Sequence, residues 1–212
     1  RLSGRAFYVT STLVIVELLI PFFLAFEGRR PQARELVVLA VMCALAVAGR
    51  VAIPIPSFKA IFGIIMIAGI AFGPESGFLV GAISALASNF FYSQGPYTPW
   101  QMMAYGAGGM LAGFVFARGR LPRKPVIMGI FGFLAVTFFV GPLLDTCSVF
   151  LVMSRITLKG AMAFYISGFP VNLRQAVATA IVLLVLGNPL LEKLDRIKTK
   201  YGILDDEGRK EA

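Results

Sequence analysis

At 212 residues and 22.9 kDa the chain has the length of one domain or two small ones, yet 58% of its residues are hydrophobic and only 15% charged, against about 45–50% and 25% in soluble domains. A mean hydropathy of +0.80 excludes a disordered, collagen-like or disulfide-scaffolded chain, and is more apolar surface than a soluble protein of this size can hide. The net charge of +9 is spaced between apolar segments, which is the pattern of membrane topology and not of nucleic-acid binding.

A hydrocarbon core of about 30 Å takes about 20 apolar helical residues, fewer where neighbours shield a helix. Apolar runs and their breakers give seven candidate helices, at 7–26, 36–53, 58–72, 76–92, 100–116, 125–152 and 161–186. The sequence opens on Arg1 and not on Met, so its true start is expected upstream. The first segment is too long and too often broken by polar residues for a signal peptide. It is followed by Glu27-Gly28-Arg29-Arg30-Pro31 and not by a small-residue cleavage site. Gly73-Pro74-Glu75 predicts a tight turn between the third and fourth segments. The runs are continuous and do not alternate, which argues against strands.

Lys and Arg assign the sides. Arg29, Arg30 and Arg34, then Arg118, Arg120, Arg123 and Lys124, then Lys193, Arg196, Lys198, Lys200, Arg209 and Lys210 fall on one side of the predicted spans. Arg1, Arg5, Lys59, Arg155 and Lys159 fall on the other, and Arg50 and Arg174 lie within or at the rim of apolar segments. The richer side is cytoplasmic by the positive-inside rule. The carboxyl end is therefore expected inside, and the first segment enters from outside.

Polar groups at membrane depth are costly unless they face a cavity or a partner. In this orientation Arg50, Asn89, Tyr92, Asp145, Asn172, Arg174 and Gln175 all fall toward the outer leaflet, as does the loop Ser93-Gln94-Gly95-Pro96-Tyr97-Thr98-Pro99-Trp100-Gln101. They are expected to form one external site. The competing reading satisfies each group locally, with Asp145 paired to Arg174 and with Tyr97 and Trp100 as interfacial aromatics. Glu17, beside Pro21 in the first segment, has no assigned role.

Ala40, Ala44 and Ala48 recur every four positions and so share one helical stripe. Gly77 with Gly81 and Gly109 with Gly113 make two GxxxG spacings, which allow close backbone approach. Gly106-Ala107-Gly108-Gly109 lacks the Gly-Lys-Ser/Thr of a phosphate loop, and no Walker motif occurs. Histidine is absent, which removes histidine bases, His-containing zinc sites and His-ligated haem. Cys43 and Cys147 have no metal or redox spacing and read as small buried hydrophobes. Asp145 is the one aspartate in the apolar spans, so neither an aspartyl dyad nor a carboxylate metal cluster is available. Enzyme, cofactor and metal readings therefore fail, and binding or transport remains.

Four stretches carry a resemblance. They are 34–48 with its Ala-x-x-x-Ala spacing, FKAIFGIIMIAGIAFGPESGFLVG at 58–81, SNFFYSQGPYTPWQMMAYGAGGMLAG at 88–113, and 169–202 ending in LLVLGNPLLEKLDRIKTKYG. Over 35–202 the chain resembles the substrate-binding S component of energy-coupling factor (ECF) vitamin transporters. The resemblance implies an all-α integral membrane protein of the bacterial cell membrane, multi-pass, with a six-helix core at 35–202. An accessory amino-terminal transmembrane helix and loop (1–34) and a cytoplasmic tail (203–212) flank that core.

The resemblance further implies a pocket open to the outside that captures a vitamin and delivers it inward by toppling of the whole body. The partners are a coupling transmembrane subunit and two ATPase subunits, so that ATP is hydrolysed outside this chain. Ala40, Ala44 and Ala48 would meet the coupling subunit. Asn89, Tyr92, Gln94, Tyr97, Trp100, Gln101, Tyr105, Asp145, Asn172 and Arg174 would bind substrate. The GP-x-TPWQM loop resembles the cobalamin-specific subgroup, which makes cobalamin or a related corrinoid the expected ligand. Pantothenate or biotin would call on Arg50 or Arg174; riboflavin or a queuosine precursor would also use aromatic stacking. The alternatives are a stand-alone proton-coupled secondary transporter of a small metabolite, with Glu17 or Asp145 carrying protons, and a membrane assembly subunit that binds no small molecule.

Overall fold

The computed structural model describes residues 32–202 except 118 and 154, together with scattered positions between 13 and 28. The described residues are helical and contain no strand. Helix α1 (Ala33–Val51) is followed by α2 (Ile61–Phe72), α3 (Pro74–Tyr92) and α4 (Thr98–Ala112), the last running on through a π-helical turn at Gly113–Ala117. Helix α5 (Pro125–Ala135), a π-turn at Val136–Val140 and α6 (Gly141–Val152) form one continuous rod, and α7 (Leu158–Tyr201) closes the chain. The expected segment 7–26 lies largely outside the described residues, and the tail 203–212 lies wholly outside them. Within the first, Leu19 is buried against Phe78 and Ala82 of α3, whereas Glu17 is exposed.

Helix α2 explains how a short apolar segment fits. Twelve residues rise about 18 Å, less than the hydrocarbon thickness, and every one of them is buried. It is the central post of the bundle, with α1, α3, α4 and α7 packed around it. Gly73, at φ +94°, reverses the chain, and Pro74 sits at the start of α3, where a missing N–H costs nothing. The expected tight turn is there.

The two GxxxG spacings are spent inside the bundle. A Cβ on Gly77 would lie 2.5 Å from the Gly109 carbonyl oxygen, and one on Gly113 would fall 2.5 Å from the Pro74 nitrogen. Helices α3 and α4 therefore touch backbone to backbone, where dispersion contacts replace the hydrophobic drive that a bilayer does not supply.

Helix α7 is longer than the apolar run at 161–186 suggests. Past that run, Gly187, Leu191 and Leu194 keep facing the core at helical spacing while the charged residues take the other faces. The helix ends where Gly202 adopts a left-handed φ of 60° and its N–H reaches the Lys198 carbonyl. Its start is capped by Thr157, whose hydroxyl accepts from the Gly160 N–H at 3.2 Å.

The outer surface is apolar. Phe90, Phe138, Ile166 and Leu158 are 74%, 68%, 69% and 80% exposed, while Ser76, Ser84, Ser88, Asn89 and Thr179 are buried. Such an inverted distribution is stable when the surrounding solvent is lipid. Pro125–Val152 and Leu158–Tyr201 are each long and apolar enough to cross a bilayer.

Candidate ligand-binding site

One end of the bundle collects the carboxyl ends of α1, α3 and α6 and the amino ends of α4 and α7. Arg50, in the last turn of α1, complements the negative end of that helix. Its Nη1 donates to Ser88 Oγ and, at 2.9 Å, to Asn89 Oδ1, both on α3. The guanidinium lies 5.0 Å from the Tyr92 ring centroid and 5.5 Å from that of Tyr105, within cation–π range. Tyr92 returns the tie, its hydroxyl donating to the Arg50 carbonyl at 3.0 Å. A cation that would be costly in hydrocarbon is thereby neutralised by hydroxyl, amide and ring.

Asn89 is 1% exposed and joins α3 to α4. Its Nδ2 donates to Thr98 Oγ1 at 3.2 Å and to Gln101 Oε1 at 2.8 Å. The loop between these helices is closed on itself. Thr98 Oγ1 donates to Gln94 Oε1 at 2.9 Å and accepts from the Gly95 N–H at 3.2 Å. Gln94 Nε2 donates to the Leu86 carbonyl and the Tyr97 hydroxyl to the Ser93 carbonyl. Ser93, at φ +85°, makes the reversal. The Trp100 ring stacks on Phe150 of α6, with centroids 5.4 Å apart and planes at 29°.

Behind this loop lies a cavity of about 410 Å³. Arg50 stands on one side, with Tyr97, Gln101 and Tyr105 beside it. Leu144, Cys147, Ser148, Leu151 and Val152 of α6 face them, and Gln175 of α7 completes the lining. Tyr105 is held edge-on to Phe62 of the central helix, at 4.5 Å between centroids. Arg50 is the one charged residue in the lining. The walls therefore offer two phenol rings, two primary amides, a serine hydroxyl and an aliphatic face. That composition suits a neutral ring-bearing ligand of drug-like size.

Of the residues singled out from sequence, Arg50, Tyr97, Gln101, Tyr105 and Gln175 line the cavity, while Asn89, Tyr92 and Gln94 hold the structures around it. Trp100 packs on Phe150 and is not in the lining. Asp145 accepts from Asn172 Nδ2 at 2.7 Å, a bond that ties α6 to α7. Its partner is thus Asn172 and not Arg174, which is exposed and donates from Nε to the Pro170 carbonyl at 3.2 Å. Cys43 and Cys147 are both buried, free thiols, and Cys147 also faces the cavity. No cluster able to hold a metal ion occurs among the described residues. Ala40, Ala44 and Ala48 are all exposed, on an α1 face shared with Val37 and Val41.

The α6 wall went unread in the sequence. Leu144, Cys147, Ser148 and Leu151 recur at helical spacing as one stripe of α6, and Ser148 is the single hydroxyl on that stripe. Ser88, which anchors Arg50, gave no sequence signal beyond standing next to Asn89.

The opposite end is basic. Lys198 Nζ donates to the Ala71 carbonyl at 2.7 Å and Arg123 Nη2 to the Ile70 carbonyl at 3.2 Å, so that two cations meet the carboxyl end of α2. Arg123 also pairs with Asp195 at 3.3 Å, and Arg34 lies 5.8 Å from the Tyr201 ring centroid.

The family model described as ECF-type riboflavin transporter, S component, matches residues 31–192, which is most of the chain. Neither the comparison with curated proteins nor that with solved structures gives a match.

Proposed function

The chain belongs to the ECF-type riboflavin transporter S-component family, and from that premise we propose that its cavity captures a neutral, ring-bearing vitamin on the outer face of the membrane. S components are substrate-binding subunits and not enzymes; they associate with an ECF module whose transmembrane and ATPase subunits supply the energy. The observation that carries the reading is the cavity lining of Tyr97, Tyr105, Gln101 and Gln175, with Arg50 as its one charge. Arg50 is already engaged by Ser88 and Asn89, which argues against a ligand recognised mainly through a carboxylate.

Two vitamins of this class each have an observation behind them. A volume of about 410 Å³, low in the range of about 300–1,000 Å³ for small-molecule sites, and the description of the matching family favour riboflavin. The GP-x-TPWQM loop at 95–102 favours cobalamin or a related corrinoid, which would seat one edge in the cavity and leave the rest of its ring at the mouth.

The orientation proposed is cavity outside and basic end inside, in a multi-pass arrangement with six core helices. The basic groups around Arg123, Lys124, Lys198 and Lys200 support it. The exposed stripe of Ala40, Ala44 and Ala48 is the surface proposed to meet the coupling subunit, since small side chains allow close approach and release at little side-chain entropy cost. The uniformly apolar exterior suits a body that reorients as a unit in the bilayer. Uptake of labelled riboflavin or cobalamin by cells carrying the chain and an ECF module should stop when the ATPases are inactivated. Uptake by the purified chain alone, driven by a proton gradient, would instead establish a secondary transporter.

A further inference from the structure

We infer that the cavity reads a carbonyl group of its ligand, because a relay from Arg50 through Asn89 fixes Gln101 with its amino group toward the cavity. The inference rests on the vitamin-binding reading and specifies the chemistry of recognition within it. A guanidinium only donates, so the Asn89 atom 2.9 Å from Arg50 Nη1 is the carbonyl oxygen. The Asn89 amino group then points the other way, to Thr98 Oγ1 and to Gln101. An amino group only donates, so the Gln101 atom 2.8 Å away is its oxygen.

Thr98 cannot disturb this order. Its hydroxyl accepts from Asn89 and from the Gly95 N–H and donates to Gln94, so both its lone pairs and its proton are committed. The Gln101 amino group is what remains for the cavity that this residue lines. An ordinary glutamine can flip its amide to suit either partner; this one is held by a charge two residues removed.

On α7, Gln175 lines the same cavity, and its Oε1 is buried without a hydrogen-bond partner. A buried acceptor without a partner costs free energy, and a ligand donor would remove that cost. The walls thus offer one fixed donor, on Gln101, and one amide, on Gln175, that no hydrogen bond holds in either orientation. A carboxamide, lactam or imide answers both, with its carbonyl toward Gln101 and its N–H toward Gln175. Riboflavin carries an imide edge and cobalamin carries carboxamides, while pantothenate carries an amide and biotin a ureide beside their carboxylates.

The test is calorimetric titration of riboflavin, cobalamin, pantothenate and biotin into the purified full chain in lipid nanodiscs, with Gln101→Glu and Asn89→Asp beside it. Gln101→Glu keeps an acceptor for Asn89 but puts an oxygen where the amino group faced the ligand. Asn89→Asp keeps the bond to Arg50 but offers Gln101 only acceptors, which turns the Gln101 amino group away from the cavity. Each variant should weaken riboflavin or cobalamin binding at least tenfold. Gln101→Glu, which keeps the bond from Asn89, should do so with an unchanged unfolding midpoint, which separates misdirected recognition from damaged structure.

Affinity within twofold of the parent in Gln101→Glu would overturn the donor role, and the same result in Asn89→Asp would overturn the relay. Affinity that survives both variants, for whichever of the four vitamins the parent chain binds, would overturn carbonyl recognition and leave vitamin capture standing. Binding of none of the four would overturn both readings together.

Discussion

Arg50 Nη1 and Asn89 Oδ1 stand 2.9 Å apart and join the last turn of α1 to that of α3 at the mouth of the cavity. The bond is charge-assisted and, with Ser88 as second acceptor, satisfies a cation at membrane depth. Arg50→Met would leave Asn89 Oδ1 buried and unpaired. The expected loss is about 2 kcal/mol, in the range for hydrogen bonds to charged groups, measured by thermal or denaturant unfolding in detergent. Ligand affinity should fall with it, since Tyr105 and Gln101 lose their bearing. An unchanged unfolding midpoint would show that the arginine carries no structural load.

Trp100 was expected to touch ligand, and the structure stacks it on Phe150. Trp100→Ala should therefore act on stability first. The cost should be about 2 kcal/mol, below the ~3–5 kcal/mol of a fully buried large aromatic, because the residue is only partly buried. Trp100→Phe should recover most of it by restoring a stacked pair. Equal unfolding midpoints for parent and Trp100→Ala, with affinity lost, would return the ring to the ligand.

The extent of the legible fold follows from where the physical signals are strong. The helical segments between 33 and 152 could be read because apolar runs end at Gly, Pro and charged residues, and the Gly73-Pro74 turn announced itself. The length of α7 could not, since beyond Leu186 its core face is only Gly187, Leu191 and Leu194 among charges. At the site, Asn89, Tyr97, Gln101 and Tyr105 were marked by polarity at membrane depth. Whether each lines the cavity or braces it depends on hydrogen-bond partners, which sequence spacing does not contain. Arg174 shows what helical phase adds. Asn172 is buried, and two residues on, about 200° around the helix, Arg174 faces outward, while Gln175 turns back to the cavity.

Ala44 lies on the exposed face of α1, clear of the cavity lining. Ala44→Trp should abolish vitamin uptake in cells that carry the ECF module and leave binding to the purified chain within about twofold, well under the ~1.4 kcal/mol of a tenfold change. Uptake and binding measured side by side decide it. Parallel loss of both would remove the assignment of this stripe to the coupling subunit.

At Gly109 the bundle has no room for a side chain, since the Gly77 backbone and the Ile65 side chain press against it. Gly109→Val should yield no folded protein on size-exclusion chromatography, the backbone collision being one that no rotamer can relieve. A well-folded variant would mean that α3 and α4 can separate freely.

The cations at the end of α2 make a weaker claim on stability. Replacing Arg123 and Lys198 together by alanine should cost about 1–3 kcal/mol, the sum of two helix-end interactions and their hydrogen bonds. The loss should shrink as salt screens the exposed portion. Unfolding followed at low and high ionic strength measures both effects.

Native mass spectrometry of the chain released from nanodiscs, after incubation with a mixture of water-soluble vitamins, tests the central claim most directly. One riboflavin or one corrinoid should add to each chain, and the added mass should disappear in Gln101→Glu. An unliganded spectrum from the parent chain, or an added vitamin retained undiminished by that variant, would contradict it.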